Sequence, residues 1–154
     1  MSMNTTLVLI VILALVVLCS IGMQEPSIDE QIDYVANVLE SEAGGEGYDG
    51  VNAVATVIKN RMVFTNKTAY EIVIDPHQFT KPFAVSNRGS YAWNLAALLE
   101  EDPAWINVST SPCPTATHFY AHKKCNPWWA EHLVDVKVIG NHTFGRLKDG
   151  KYSK

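Results

Sequence analysis

The glycine-rich stretch at residues 39–47 separates two apolar helical patterns and constrains the fold more than any other feature of the chain. Before it, apolar residues recur at three- and four-residue spacing, which predicts a helix over residues 28–43. These residues are Ile28, Ile32, Val35, Ala36 and Leu39. Gly44, Gly45 and Gly47 then interrupt the pattern and leave little side-chain bulk beside Glu42. The chain must turn here, next to a carboxyl group that a large molecule can approach.

Glu42 is the first candidate catalytic residue. The helical spacing places it at the edge of the buried face, where a carboxyl group is partly removed from water. Desolvation disfavours the charged form of a carboxyl group, and a general acid needs a raised pKa to keep its proton near neutral pH. The alternative is a solvated glutamate in the last turn of a surface helix, and spacing alone leaves both interpretations open.

The next segments also have helical patterns. Asp49 is a candidate N-cap for a second helix, whose apolar stripe comprises Val51, Val54, Ala55, Ile58 and Met62. Two capping boxes, Ser27-x-x-Glu30 and Thr68-x-x-Glu71, predict the starts of the first helix and of a short helix through Ala69, Ile72 and Val73. A further helix is predicted over residues 91–100.

The last third of the chain has a different pattern. Short runs at residues 117–120 and 134–139 are separated by Pro, Gly and Asn, which predicts a small β-hairpin and irregular segments. The expected fold class is therefore α+β: a compact, mainly helical domain over residues 27–150 with a small β-hairpin region.

Residues 5–23 carry no charge and are rich in Leu, Val and Ile. The run is about long enough for a membrane-spanning helix. Residues 1–24 are therefore interpreted as a signal peptide or a membrane anchor. Ser20-Ile21-Gly22 has the small-x-small pattern of a cleavage site, whereas the length of the run favours an uncleaved anchor in contact with the membrane. Either alternative predicts export to the periplasm or cell envelope.

Charge and cysteine content limit the partners and the redox chemistry. The formal net charge is −4 and no basic stripe with interleaved aromatics occurs, which argues against nucleic acid as a partner. We expect a monomer. Cys113 and Cys125 flank a short segment and either form a disulfide in an oxidising compartment or remain free thiols. Cys19 lies in the export segment, and lipidation there is disfavoured because Leu18 precedes it.

A series of short motifs follows the glycine stretch in a fixed order. They are Glu42-Ala43-x-Gly45-Glu46, Val54-Ala55-x-Val57-x-x-Asn60-Arg61, Gln78-Phe79-Thr80, Ala116-Thr117-His118-Phe119-Tyr120, Trp128 and Ile139-Gly140-Asn141-His142-x-Phe144. This series resembles the cell-wall hydrolase family typified by the spore-cortex-lytic enzymes of bacilli, which also has relatives in bacteriophages. The resemblance extends over nearly everything after Asp33.

The resemblance implies a lytic-transglycosylase-like fold and peptidoglycan as substrate, in a bacterial enzyme or a phage lysin. It also implies that Glu42 is the catalytic acid. The expected reaction is non-hydrolytic, with the same glutamate returning as a base while a 1,6-anhydro ring closes on muramic acid. Hydrolysis by a lysozyme-type reaction is the alternative. Glu46 is a second catalytic candidate or a helper, or a structural residue at the start of the second helix. No cofactor or metal is expected.

Substrate-binding candidates come from the later motifs. Aromatic side chains can stack on the apolar faces of sugar rings, although most aromatics in a small domain belong to its core. Phe79, Tyr120 and Trp128 are expected to contact the glycan, with Gln78 and His118 as hydrogen-bonding partners. Phe119 and Trp129 are further aromatic candidates, and Asn60 and Arg61 are expected mainly to fix the second helix.

Two other classes of protein remain as alternatives. A zinc-dependent amidase would use His118-x-x-x-His122, with Glu131, His132 and His142 nearby in sequence. This spacing suits a helix, whereas the run around His118 is predicted to be extended, which disfavours a metal site. A non-catalytic wall-binding module is the second alternative, and the intact acidic motif argues against it.

Overall fold

The first helix of the body, α1, spans Ile28–Ala43, as its apolar spacing predicts. The computed structural model describes residues 5, 7–13 and 25–148. The predicted capping box is present: Ser27 accepts from the backbone N–H of Glu30, and the Glu30 carboxylate accepts from the backbone N–H of Ser27 at 2.8 Å. The helix buries Ile32, Val35, Ala36, Val38, Leu39 and Ala43, whereas Ile28 in the first turn stays 49% exposed.

The glycine stretch forms a tight connection rather than a loop. Gly44–Glu46 make one turn of 3-10 helix, and α2 then runs over Gly47–Thr65. The prediction that Asp49 caps α2 is wrong, because the helix resumes at Gly47 and Asp49 lies inside its first turn. There its charge still complements the positive end of the helix dipole.

Helix α2 is the centre of the domain. Its buried residues occupy more than the predicted stripe: they are Gly50, Val51, Ala53, Val54, Ala55, Thr56, Val57, Ile58 and Arg61. Helix α1, helix α3 (Ala69–Val73) and helix α4 (Tyr91–Glu101) all pack against it. Small residues such as Ala53 and Ala55 let these neighbours approach closely. Helices α3 and α4 lie where the sequence predicts them, and the predicted capping box of α3 is present.

Glu100 joins α3 and α4 through a carboxyl group that is partly removed from water. Its carboxylate in α4 accepts a hydrogen bond from the backbone N–H of Tyr70 in α3. Burial raises the pKa of Glu100, and the charge of Glu71 adds to this. Because the folded state then holds the proton more tightly than the unfolded chain, stability falls as the pH rises from below the unfolded pKa through the folded pKa.

Glu100→Gln is therefore expected to raise the melting temperature at pH 7 by about 2 °C. The amide oxygen still accepts from Tyr70, while the charge penalty disappears. Calorimetric melting curves from pH 3 to pH 8 measure the effect. The gain should vanish at the acid end, where wild-type Glu100 is itself neutral, and a gain that persists there would contradict the electrostatic explanation.

The last third forms an antiparallel sheet in the order β1-β3-β2. The strands are β1 (His118–Ala121), β2 (Leu133–Ile139) and β3 (His142–Leu147). The predicted hairpin region is thus a three-stranded sheet, and β3 is the strand that the sequence pattern does not indicate. Phe144 on β3 is fully buried and pairs with Phe119 on β1. The predicted α+β fold class is confirmed.

The predicted signal peptide or anchor, residues 1–24, lies largely outside the described residues. The described part at residues 7–13 is helical. Within residues 5, 7–13 and 25–148, no helix is both long enough and apolar enough to cross a membrane. The domain boundaries remain a prediction.

The two cysteines of the body are free thiols, so the disulfide alternative does not hold. Cys113 is in the core, where burial raises the pKa of its thiol, whereas Cys125 is exposed in the turn after β1. Cys19 lies outside the described residues.

Candidate active site

A cleft of about 700 Å³ lies between the C-terminal end of α1 and the sheet. One wall comes from the loop at residues 75–80, and the other from β1 and residues 124–129. The cleft contains Glu42, Gln78, Phe79, His118, Tyr120 and Trp128. Motifs far apart in the sequence are thus brought to one surface. Of the predicted site residues, only Glu46 is not part of its lining.

Glu42 lies in the last turn of α1 and is half-buried. Its Oε1 accepts a hydrogen bond from the backbone N–H of Thr80 at 2.6 Å. Within the described residues, Oε2 has no hydrogen-bond partner. Because a backbone N–H can only donate, Oε1 is fixed as the acceptor, and Oε2 is the atom free to carry and release a proton.

Residues 80–86, called the strap here, run along α1 beside Glu42. Ser41 Oγ accepts from the backbone N–H groups of Phe83 and Ala84 at 3.0 and 2.9 Å, and Asn37 Oδ1 accepts from Ser86 at 2.7 Å. The helix surface thereby satisfies the backbone of an otherwise irregular segment. Since the strap begins at Thr80, these bonds also fix the N–H group that holds Glu42.

Ser41→Ala is expected to loosen this strap and to cost about 1 kcal/mol of folding stability, because two N–H groups lose their acceptor. The sharpest measurement is amide hydrogen exchange. Exchange at Phe83 and Ala84 should become faster, while Ser86, which Asn37 still holds, serves as the internal control. Ser41→Thr keeps the acceptor and should restore protection. Unchanged exchange at Phe83 and Ala84 would contradict the role of Ser41.

Arg61 supports the loop wall of the cleft from below. Its side chain is 4% exposed, and its Nε donates to the carbonyl of Thr117 at 2.8 Å. Nη1 donates to Gln78 Oε1 at 3.1 Å, and the guanidinium lies 5.2 Å from the centre of the Phe79 ring. Asn60 beside it donates to the carbonyls of Pro114 and Ala116. The two residues therefore fix α2 to its neighbours, as predicted, and Arg61 additionally orients Gln78.

The opposite wall is aromatic. Trp129 packs 5.1 Å from the His118 ring and 5.6 Å, edge to face, from the Tyr120 ring. His118 is buried, and its Nδ1 is hydrogen-bonded to Thr117 Oγ1 at 2.9 Å. Trp128, in contrast, is 71% exposed at the rim of the cleft. Its indole ring offers a flat apolar surface to a passing sugar chain.

Glu46 lies away from the cleft surface, buried against the turn between β2 and β3. Its Oε1 accepts from the backbone N–H of Asn141 and lies 2.8 Å from Nδ1 of His142. The 3-10 turn at Gly44–Glu46 rotates it off the face that carries Glu42, so the continued helical register considered from the sequence does not occur. Glu46 is the N-cap residue of α2, but its side chain makes no capping hydrogen bond there, and its role as a catalytic, helping or structural residue stays a prediction.

The histidines considered as zinc ligands do not form a cluster in the described part of the chain. His118 is on β1, and His122 in the following turn is hydrogen-bonded to Thr143 Oγ1. His132 is on the surface beside Glu131. Among residues 5, 7–13 and 25–148, no three His, Cys, Asp or Glu side chains gather as a metal site.

The cleft lining includes residues that were not recognised from the sequence as part of the site, among them Thr80, His142 and Arg61. Thr80 and His142 lie in motifs that carry the resemblance, and Arg61 was expected only to fix a helix. A signal was available for these three, because each is a polar residue of one of the motifs that carry the resemblance. What the sequence lacks is the direction of each side chain.

The carboxyl group of Glu42 in the last turn of α1 thus lies in a cleft lined by polar and aromatic side chains, which are the groups that ligand sites commonly use. The chain belongs to the cell wall hydrolase family, whose model matches residues 45–145. The match begins just after Glu42 and includes Glu46. The resemblance inferred from the motifs is thereby confirmed.

Two solved structures are similar to this chain. The catalytic domain of the Bacillus cereus SleB protein is 25% identical, with a TM-score of 0.58, over 80% of this chain and 94% of that one. The catalytic domain of the germination-specific lytic transglycosylase SleB from Bacillus anthracis is 23% identical, with a TM-score of 0.58, over 81% of this chain and 98% of that one. No curated protein sequence matches significantly.

Proposed function

We propose that this protein cuts the glycan strand of peptidoglycan as a lytic transglycosylase, with Glu42 as both acid and base. The observation that carries the proposal is the state of the two carboxyl side chains in the cleft. Asp75 is already paired with a cation, Lys67, at 3.0 Å. Glu42 has no cationic partner in the described residues and keeps Oε2 free, so it is the group suited to proton transfer.

The reaction follows from one carboxyl group. Glu42 donates its proton to the glycosidic oxygen as that bond breaks and positive charge develops at the anomeric carbon. The resulting carboxylate then takes the proton from the C6 hydroxyl of the muramic acid residue, whose oxygen closes the 1,6-anhydro ring. The proton on Glu42 is thereby restored, and no water is consumed.

The cleft walls suit a polymer rather than a small molecule. Gln78 and His118 supply hydrogen-bonding groups, while Phe79, Tyr120 and the exposed Trp128 supply faces for sugar rings. Support also comes from the lytic transglycosylase activity named for the Bacillus anthracis relative. The second candidate is hydrolysis by a lysozyme-type reaction, which is favoured by the presence of Asp75 as another carboxylate in the cleft.

Fragment analysis distinguishes these reactions. The full chain is incubated with purified peptidoglycan, with and without EDTA, and the released fragments are identified by mass. Anhydro-muropeptides that form in EDTA support the proposal, whereas fragments heavier by one water indicate hydrolysis. Freed stem peptides, lost with EDTA and restored by zinc, would instead indicate the amidase alternative.

The proposed substrate lies outside the cytoplasm, so we also propose export, with residues 5–23 as either a cleaved signal or a retained anchor. Intact-mass measurement of the exported protein separates the two. A product that lacks the apolar segment indicates cleavage, and a full-length chain in the membrane fraction indicates anchoring, as in a phage lysin held at the membrane.

A further inference from the structure

Glu46 and His142 form a largely buried pair, of which His142 lines the cleft and Glu46 does not. Glu46 Oε1 lies 2.8 Å from both the backbone nitrogen of Asn141 and Nδ1 of His142. The Glu46 side chain is 7% exposed and the His142 side chain 13%. A carboxylate at the start of α2 thus reaches the turn between β2 and β3.

The backbone around this carboxylate leaves room for it. A Cβ at Gly140 would lie 2.7 Å from Glu46 Cδ, and a Cβ at Gly50 would lie 2.6 Å from Glu46 Cβ. Gly140 also has a φ of 55°, which favours glycine. Because any larger residue would collide with Glu46, two glycines enclose a site shaped for this side chain.

Stability alone does not account for the pair. Burying a carboxylate costs free energy that attraction to one partner rarely repays in full. Glu46 Oε2 is the one buried side-chain oxygen or nitrogen of the described residues that lacks a hydrogen-bond partner, so the pair is not fully satisfied. Strand β3 is already held by β1 and β2 on either side. The free-energy cost of burying Glu46 indicates that the orientation it gives to the His142 imidazole has a functional role.

The second imidazole nitrogen, Nε2, makes no hydrogen bond within the described residues. It is not completely buried, since Glu46 Oε2 is the one completely buried side-chain nitrogen or oxygen there without a partner. His142 lines the cleft that also contains Glu42. The rings of Phe119 and Phe144, with centroids 5.6 and 6.2 Å away, restrain the plane of the imidazole.

We propose that His142 contacts the bound glycan through Nε2 and that Glu46 is its positioning residue. The Nδ1–H donates to Glu46, which leaves Nε2 with a free lone pair. This lone pair accepts a hydrogen bond from a hydroxyl or an acetamido N–H of a sugar ring held against Glu42. The inference rests on the proposed function, because it takes the glycan as the ligand, and it gives Glu46 a role other than proton transfer.

A histidine-to-asparagine pair tests the contact. The amide nitrogen of asparagine occupies nearly the same place as Nδ1 but cannot reach the place of Nε2. His142→Asn in the full chain should therefore keep the bond to Glu46 and the wild-type melting temperature. Its kcat/KM on soluble uncrosslinked glycan strands should fall about 10-fold, since one hydrogen bond to substrate is lost. The matched control is His122→Asn, which keeps the bond to Thr143 away from the cleft and should retain wild-type kinetics.

A kcat/KM of His142→Asn within twofold of wild type, with unchanged melting, would overturn the proposal. A spectroscopic measurement decides the matter even if this variant fails to fold. In Glu42→Gln, which should bind glycan without cutting it, added glycan strands should shift the ¹⁵N resonance of His142 Nε2. Shifts at Trp128 without a shift at Nε2 would overturn the contact while leaving the proposed function intact. Absence of cleavage by the wild-type chain would count against the proposed function itself.

Discussion

Glu42→Gln is expected to reduce the rate of glycan-strand cleavage by about a thousandfold while leaving the fold intact. General acid and base catalysis each contribute factors of hundreds or more, and on the proposed mechanism one residue supplies both. The amide oxygen can still accept from the backbone N–H of Thr80, so the end of α1 and the strap should be unchanged. The measurement is kcat for release of anhydro-muropeptides, together with the melting temperature.

Two isosteric controls show whether this loss is specific. Glu40→Gln, on the same helix but outside the cleft lining, should retain wild-type activity. Glu46→Gln should lose far less than Glu42→Gln, because on our proposal it only orients His142. Activity of Glu42→Gln within a few-fold of wild type would remove Glu42 from the mechanism. An equally large loss in Asp75→Asn, with water-added products, would favour a reaction that uses two carboxylates.

The helical part of this fold could be predicted from sequence because its signals are local. Apolar spacing, two capping boxes and the glycine interruption are each contained within a few residues, and α1 and α3 begin where these signals place them. Helix α4 differs from its predicted bounds by one residue. The order of the motifs also identified the family, because that order can be read from the sequence without knowledge of the three-dimensional structure.

The missed features depend on contacts between distant segments. Strand β3 contains Thr143, Gly145 and Arg146, and its central place in the sheet comes from pairing with β1 and β2. The strap has no pattern of its own, since Ser41 and Asn37 on another element satisfy its backbone. The surroundings of Glu46 also depend on a distant segment, since its Oε1 lies against a histidine nearly a hundred residues later in the chain.

The buried guanidinium of Arg61 is expected to contribute to both stability and function. It joins α2 to the segment before β1 and to the loop that carries Gln78 and Phe79. Arg61→Lys keeps the charge, but a single ammonium cannot reproduce the fork that contacts the Thr117 carbonyl and Gln78 together. We expect it to cost about 2 kcal/mol of folding stability, because a hydrogen bond to a buried charge is lost. Cleavage should fall about 10-fold, because the loop wall loses its support.

Arg88 provides the matched control on the same molecule. It also forms hydrogen bonds with two partners, Asp29 and Asp33, and lies 5.9 Å from the ring centre of Trp93, yet its side chain is 58% exposed. Water screens such a pair, so Arg88→Lys should leave the urea midpoint and the cleavage rate essentially unchanged. Urea unfolding and kcat, both measured well below the melting temperature, compare the two variants directly. Equal effects in both variants would mean that burial of Arg61 contributes nothing. A large effect confined to Arg61→Lys would show that the loop wall of the cleft depends on the buried guanidinium beside it.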